Sequence, residues 1–168
     1  SLASVILAAT LLFLTAFIIV LSIGFYTGLL FVGKTSTANP NVIEEHYIGN
    51  ENQEDAEIMR FKKGDREMLT TVHTHVLSMS LIFFLLGCVL LATSLPTKLK
   101  TFLLIEPFLS VVFTFGGIYL LWSGVSWMKY IVMVSGALMT LTFTISVIVI
   151  LYQLFQKKLH RLNIYIIH

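Results

Sequence analysis

Charge is what this sequence has least of. Only 12% of its 168 residues are Asp, Glu, Lys or Arg, where a soluble domain carries about 25%. Ser1 to Gly33 contains none. Meanwhile 57% of the residues are hydrophobic and the mean hydropathy is +0.88. A chain this short leaves too much surface exposed to hide that excess in one water-soluble core, which excludes an ordinary globular domain and makes a bilayer the fitting solvent. Cysteine is nearly absent. Cys88 stands alone in an apolar run, so an intrachain disulfide and a dithiol redox centre are both excluded, and the residue reads as a small packed hydrophobe. The net charge of +2 comes with no basic stripe interleaved with aromatics, so nucleic acid is not expected as a partner. No Walker loop, G-x-S-x-G or H-E-x-x-H occurs, and an enzyme acting alone is not expected.

What is present is four long apolar runs. A spanning helix needs about 20 apolar residues. The spans are expected at about 2–33, 69–95, 101–122 and 127–155, with a polar loop at 34–68 and a tail at 156–168. The fold class is therefore an all-α integral membrane protein, a four-helix up-and-down bundle forming one membrane domain. The first run is much longer than the 7–15 residue core of a signal peptide, and no basic residue precedes it, so it reads as a span rather than a leader; the native start is left open. Gly24 and Gly28 form a G-x-x-x-G spacing, with Ser22 nearby. That spacing lets a second helix approach closely, although two glycines by chance give the same pattern.

The loop holds eight of the nine acidic residues. Its start, TSTANPN, is turn chemistry. Its middle, NENQEDAE, reads as solvated surface, since the spacing lacks the alternating ligands and central glycine of a calcium loop. The turn with Lys98 and Lys100 and the tail with Lys157, Lys158 and Arg161 contain no acidic residue. With four spans these two segments fall on one side, and the positive-inside rule makes that side cytoplasmic. Both termini are then expected in the cytoplasm of a bacterial inner membrane, with loop 34–68 on the periplasmic or external side. Trp122 and Trp127 flank a turn at the depth where amphipathic rings settle.

The second span carries His73 and His75 just inside its start. Successive helical residues are about 100° apart, so these two imidazoles point about 200° away from each other and cannot share one metal. Glu67, Thr71, Thr74, His75 and Ser78 fall on one arc about 100° wide; His73 lies opposite, with Leu77 and Ser80. Polar side chains in a span avoid lipid, so one face is expected to meet helices of this chain and the other a partner subunit or second copy. Imidazole is the usual axial ligand of b-type haem, its other nitrogen held by a partner such as Thr71 or Glu67. His73 and His75 are thus candidate haem ligands. No other span holds a histidine, and a second ligand would come from a neighbouring subunit or from a methionine such as Met79 or Met128. The plainer alternative is hydrogen bonding near the interface; a third is a proton relay through His75 and Glu67.

Glu106 is the only acidic residue inside a span, followed by Pro107. It lies roughly 9 Å from the Lys100 end, where a carboxylate is costly unless protonated, paired or hydrated. Ser110 and Thr114 follow at i+4 and i+8. The alternatives are snorkelling to the interface or pairing with a lysine. His75 and Glu106 are roughly 15 Å apart along the membrane normal and form no single site. In the fourth run, Ser135, Gly136, Thr140, Thr142, Thr144 and Ser146 read as packing positions whose hydroxyls bond their own backbone.

The leading expectation is a small accessory subunit of a respiratory or other redox complex, meeting lipid and other membrane subunits or a second copy of itself. A proton- or ion-coupled transporter using Glu106 is the second reading, and a purely structural membrane protein the third.

Overall fold

The computed structural model describes residues 2–35, 39–51 and 58–167, with backbone alone at Phe31, Lys34, Thr35 and 158–167. It is all-helical, with no strand among the described residues. Four helical stretches are long and apolar enough to cross a membrane: Leu2–Leu30, Asp65–Leu91, Thr97–Trp122 and Met128–Lys157. The first lies within α1 (Leu2–Thr35), the second is α3 (Asp65–Leu91), and the fourth lies within α6 (Met128–Ile167). The third is built from α4 (Thr97–Val111), a wider π turn at Val112–Gly116, and α5 (Gly117–Trp122).

Local chemistry sets the ends. α3 begins four residues before the expected 69 because Gly64 takes the N-cap position and Asp65 and Glu67 occupy the first turn, where acidic groups complement the helix dipole. α4 begins at Thr97, directly after Pro96. The turn between them is closed by side chains. Lys100 Nζ donates to the carbonyls of Leu91 (3.2 Å) and Thr93 (2.6 Å) at the end of α3. Gln153 of α6 accepts from Ser94 N at 2.7 Å and donates to Ser94 O at 3.0 Å.

Neighbouring spans alternate in direction. Thr114 bonds Ser135 at 2.7 Å, and a Cβ on Gly117 would lie 2.9 Å from Val132 Cγ2. Three steps along the third span are therefore three steps back along α6. Likewise His75 lies against Phe115 and Gly87 against Leu104, so α3 runs opposite to the third span. α1 is gripped by an aromatic layer. Phe25 stacks on Phe143 of α6 with centroids 3.8 Å apart, and Phe83 of α3 stands edge-on to both rings. Tyr26 OH and Thr144 Oγ1 share a hydrogen bond of 2.7 Å beside it. Large apolar residues such as Leu81, Phe84, Phe113 and Leu141 face outward, where lipid meets them.

The connection between α1 and α3 is not a plain loop. Asn39 caps α2 (Pro40–Ile48), its side chain accepting from Asn41 N at 3.0 Å, with Pro40 at the first helical position, as its fixed φ favours. Gly49 ends the helix with φ +86°. Asn50, buried, then clasps the returning strand of chain: its N–H donates to Arg60 O (2.9 Å), its Nδ2 to Ile58 O (3.0 Å), and its Oδ1 accepts from Arg60 N (2.7 Å). The clasp docks on the bundle. Trp122 Nε1 donates to Lys63 O at 2.8 Å, Lys62 lies 5.1 Å over the Trp122 ring, and Lys129 Nζ reaches Glu44 Oε2 at 2.6 Å and Asn41 Oδ1 at 3.0 Å. These contacts make the segment a cap over the end of α5 and α6. The acidic stretch 52–57, including Glu54, Asp55 and Glu57, lies outside the described residues.

Hydrogen bonds from Lys129 and Ser126 hold the Glu44 carboxyl below its ordinary value of 4.5. A carboxyl depressed by folding stabilises above its ordinary value, and the contribution is lost as pH falls through the folded one. We therefore expect the cap to loosen in acid below the usual carboxylate range, followed as rising amide exchange over 41–48, and Lys129→Ala to show the looser cap already at neutral pH. Equal exchange in the two proteins at pH 7 would contradict the anchor.

Candidate functional site

On α3 the side turned to the bundle is apolar. Met68, Phe83, Leu86 and Leu90 are buried, and Val72, Val76 and Met79 pack against the same core. These seven follow three- and four-residue spacing along one stripe. Both histidines lie outside it, exposed on the outer surface of the bundle, as do Thr74 and Ser78. This corrects the expectation that one of the two polar faces meets helices of this chain; the apolar stripe between them does. His75 lies nearest the bundle, with its ring centroid 5.0 Å from that of Phe115. Its Nδ1 is held at 2.7 Å by the Thr71 carbonyl, one turn earlier. Glu67 is not the partner of that imidazole. It pairs instead with Lys63 across the first turn of α3, so the cap and the helix start share it. His73 occupies the other flank, exposed.

Gly24 and Gly28 are also exposed, and a Cβ on either would meet nothing within 4 Å. Among the described residues, nothing approaches either glycine closely enough to require it. Between spans, a close approach that requires glycine is at Gly117, against Val132.

The polar interior lies between the third span and α6. Glu106 is nine-tenths buried, with Ser110, Thr114, Ser135, Thr142 and Ser146 buried as well. Ser110 Oγ donates to Glu106 Oε1. Glu106 Oε2 has no hydrogen-bond partner, the one buried side-chain oxygen in that condition among the described residues. The hydroxyls satisfy themselves: Ser135 bonds Ile131 O, and Thr142 bonds Leu138 O and Met139 O. The register set by Thr114 with Ser135 places Thr142 within about one residue, 1.5 Å, of the level of Glu106. Neither alternative for Glu106 fits this geometry. Its burial excludes snorkelling, and Lys100 is committed to the end of α3. The same register places His75 about nine residues, roughly 14 Å, from Glu106 along the third span, so the two are separate sites.

Among the described residues no group of three or more His, Cys, Asp or Glu side chains could hold a metal ion. Cys88 is exposed on the outer surface rather than packed. In the cap, burial and the cations Lys63 and Arg60 push the His46 imidazole below its ordinary value, favouring the neutral ring.

A family model described as a transmembrane helical domain, Aq_1264_TM, matches residues 37–161. The chain belongs to that family. The matched stretch takes in the described cap, both faces of α3, Glu106 and Ser135, and leaves α1 outside up to Thr35. α1 is also the least enclosed span, with 6% of its apolar window buried against 44% for the third span. No curated protein and no solved structure matches the chain.

Gly49, Asn50 and Lys129 went unread in the sequence, and Trp122 was read only as an interfacial ring. A turn signal was present for the first two, Gly-Asn after an amphipathic segment. Lys129 had none, because its partner lies 85 positions away. Ser135 was read as a packing residue, yet it is the α6 partner of the hydroxyl line that starts at Glu106.

Proposed function

We propose that this chain is an accessory subunit of a larger complex in a bacterial inner membrane, joined to it through the outer face of α3. One observation carries the reading: Thr74, His75 and Ser78 are exposed on the bundle surface at membrane depth, while the core-facing stripe of the same helix is fully apolar. His75 lies level with Phe115, seven residues and about 10 Å inside the Trp122 interface position. Imidazole at that depth is poorly served by lipid and well served by a protein helix offering hydrogen-bonding groups. The basic residues at Lys98, Lys100, Lys157, Lys158 and Arg161, with no acidic residue among them, favour a cytoplasmic location for both termini and a periplasmic cap.

A redox complex is the specific form of this reading. With Nδ1 bonded to Thr71 O, the tautomer and ring orientation of His75 are held, which is how proteins prepare an imidazole to ligate through Nε2. No other described span carries a histidine besides His73 on the same helix, so the second axial ligand of a b-type haem would come from the partner or from a second copy. The test is an oxidised and dithionite-reduced absorption spectrum of the complex extracted in mild detergent. We expect a b-type α band that His75→Ala abolishes and His73→Ala leaves. A band surviving in both variants contradicts the ligand role. A flat spectrum with the complex intact removes haem and leaves His75 as a partner contact.

A further inference from the structure

We propose that Glu106, with Ser110, forms a proton-binding site inside the bilayer, independent of the α3 docking face. Among the described residues the carboxyl receives one hydrogen-bond donor, the Ser110 hydroxyl, spent on Oε1. The acceptors outnumber it. Oε2 has no partner. Pro107 has no N–H, so the carbonyl of Leu103, one turn earlier and on the same buried face, loses its regular helical donor. Thr142, at the same level on α6, already gives its hydroxyl hydrogen to its own backbone. A carboxylate here would be an unpaired charge and an unmet acceptor, both costly away from water. A carboxylic acid supplies the missing donor and removes the charge. The neighbouring hydroxyls continue away from Glu106 along one seam, through Ser110 to the Thr114–Ser135 pair, so the site lies on a polar seam between the third span and α6.

A small cation such as Na⁺ would answer the same surplus of acceptors. The small number of oxygens favours the proton. A proton needs only the one unmet oxygen, Oε2, whereas a hard cation takes about six oxygen ligands, more than the Glu106 carboxyl, Ser110 Oγ and the Leu103 carbonyl supply. Two lysines stand near the same end, but Lys100 is occupied with Leu91 O and Thr93 O and Lys98 is exposed at the turn. No ion pair includes Glu106 among the described residues.

The experiment is dicyclohexylcarbodiimide labelling of the whole protein in lipid vesicles, read by peptide mass spectrometry. The reagent adds to a protonated carboxyl. The acid proton moves to a carbodiimide nitrogen, the carboxyl oxygen bonds the central carbon, and the adduct rearranges to a stable N-acylurea with nothing lost. We expect one adduct, at Glu106, absent from Glu106→Gln and unaffected by Na⁺. Protection by Na⁺ at constant pH overturns the proposal in favour of a cation site. Because the reagent could fail to reach the seam, the carbonyl stretch of a protonated carboxylic acid is recorded in parallel. That band, present in the native protein at pH 7 and missing from Glu106→Gln, supports the proposal without any adduct. Its absence from the native protein together with no labelling overturns it.

Discussion

Gly49→Ala is expected to open the cap while leaving the four spans intact. Gly49 has φ +86° and ψ 173°, a region essentially reserved for glycine, where another residue costs of order 1–3 kcal/mol. Sterics add to this. A Cβ at that position would sit 2.7 Å from Lys62 N, 2.8 Å from Arg60 O and 2.9 Å from the Phe61 carbonyl carbon. All three are backbone atoms, so no side chain can swing aside to make room. Relief requires the 58–63 segment to move off α2, which breaks the bonds from Asn50 N to Arg60 O and from Lys63 N to Tyr47 O. The measurement is hydrogen exchange in detergent or nanodiscs. We expect exchange at Asn50, Arg60 and Lys63 to rise by at least about tenfold, the equivalent of 1.4 kcal/mol, with helical circular dichroism almost unchanged. Native protection at these amides in the variant would contradict the clasp.

Phe143→Ala carries the largest expected cost to the bundle itself. The ring is fully buried and touches three spans at once: stacked on Phe25 of α1, edge-on to Phe83 of α3, and carried by α6. Truncating a buried phenylalanine typically costs about 3–5 kcal/mol through lost contacts and the cavity left behind. Here the loss concentrates on α1, whose buried contacts are few, Ile18 and Phe25 being its buried core residues among those described. We expect a clear fall in melting temperature and loosening of α1 ahead of the other spans, read as increased reactivity of a cysteine placed at Ile18. A variant in which Ile18→Cys remains as protected as in the native background would show that α1 is held by something else. The three remaining spans, with their cap, coincide with most of the family match over 37–161, as expected if α1 is the peripheral helix.

The spans were legible because hydropathy over about 20 residues is a direct statement about solvent, and no tertiary detail enters it. The i, i+4, i+8 spacing of Glu106, Ser110 and Thr114 was legible for a related reason: it is a property of one helix. What stayed hidden depends on pairs of distant residues. The capping contacts of Trp122 with Lys63 and Lys129 with Glu44 span 59 and 85 positions, and loop residues carry no periodicity to announce them. On α3 the wheel located the polar arcs, but which arc faces inward is decided by the volume the other helices leave. Met68, Val72, Val76, Met79 and Phe83 fill it, and the histidines are left on the flanks. The π turn at Val112–Gly116 had no signal beyond Pro107 five residues earlier.

We propose above that the outer polar face of α3 meets protein rather than lipid. Site-specific photo-crosslinking in native membranes tests this, with a photoreactive residue at Ser78 and, as a control roughly 6 Å deeper by the helix register, at Leu141 on the exposed surface of α6. The account predicts a protein adduct from position 78 and only lipid adducts from position 141. An adduct of twice the chain mass would identify the partner as a second copy, and any other mass a different subunit. Lipid adducts alone at both positions would contradict the account.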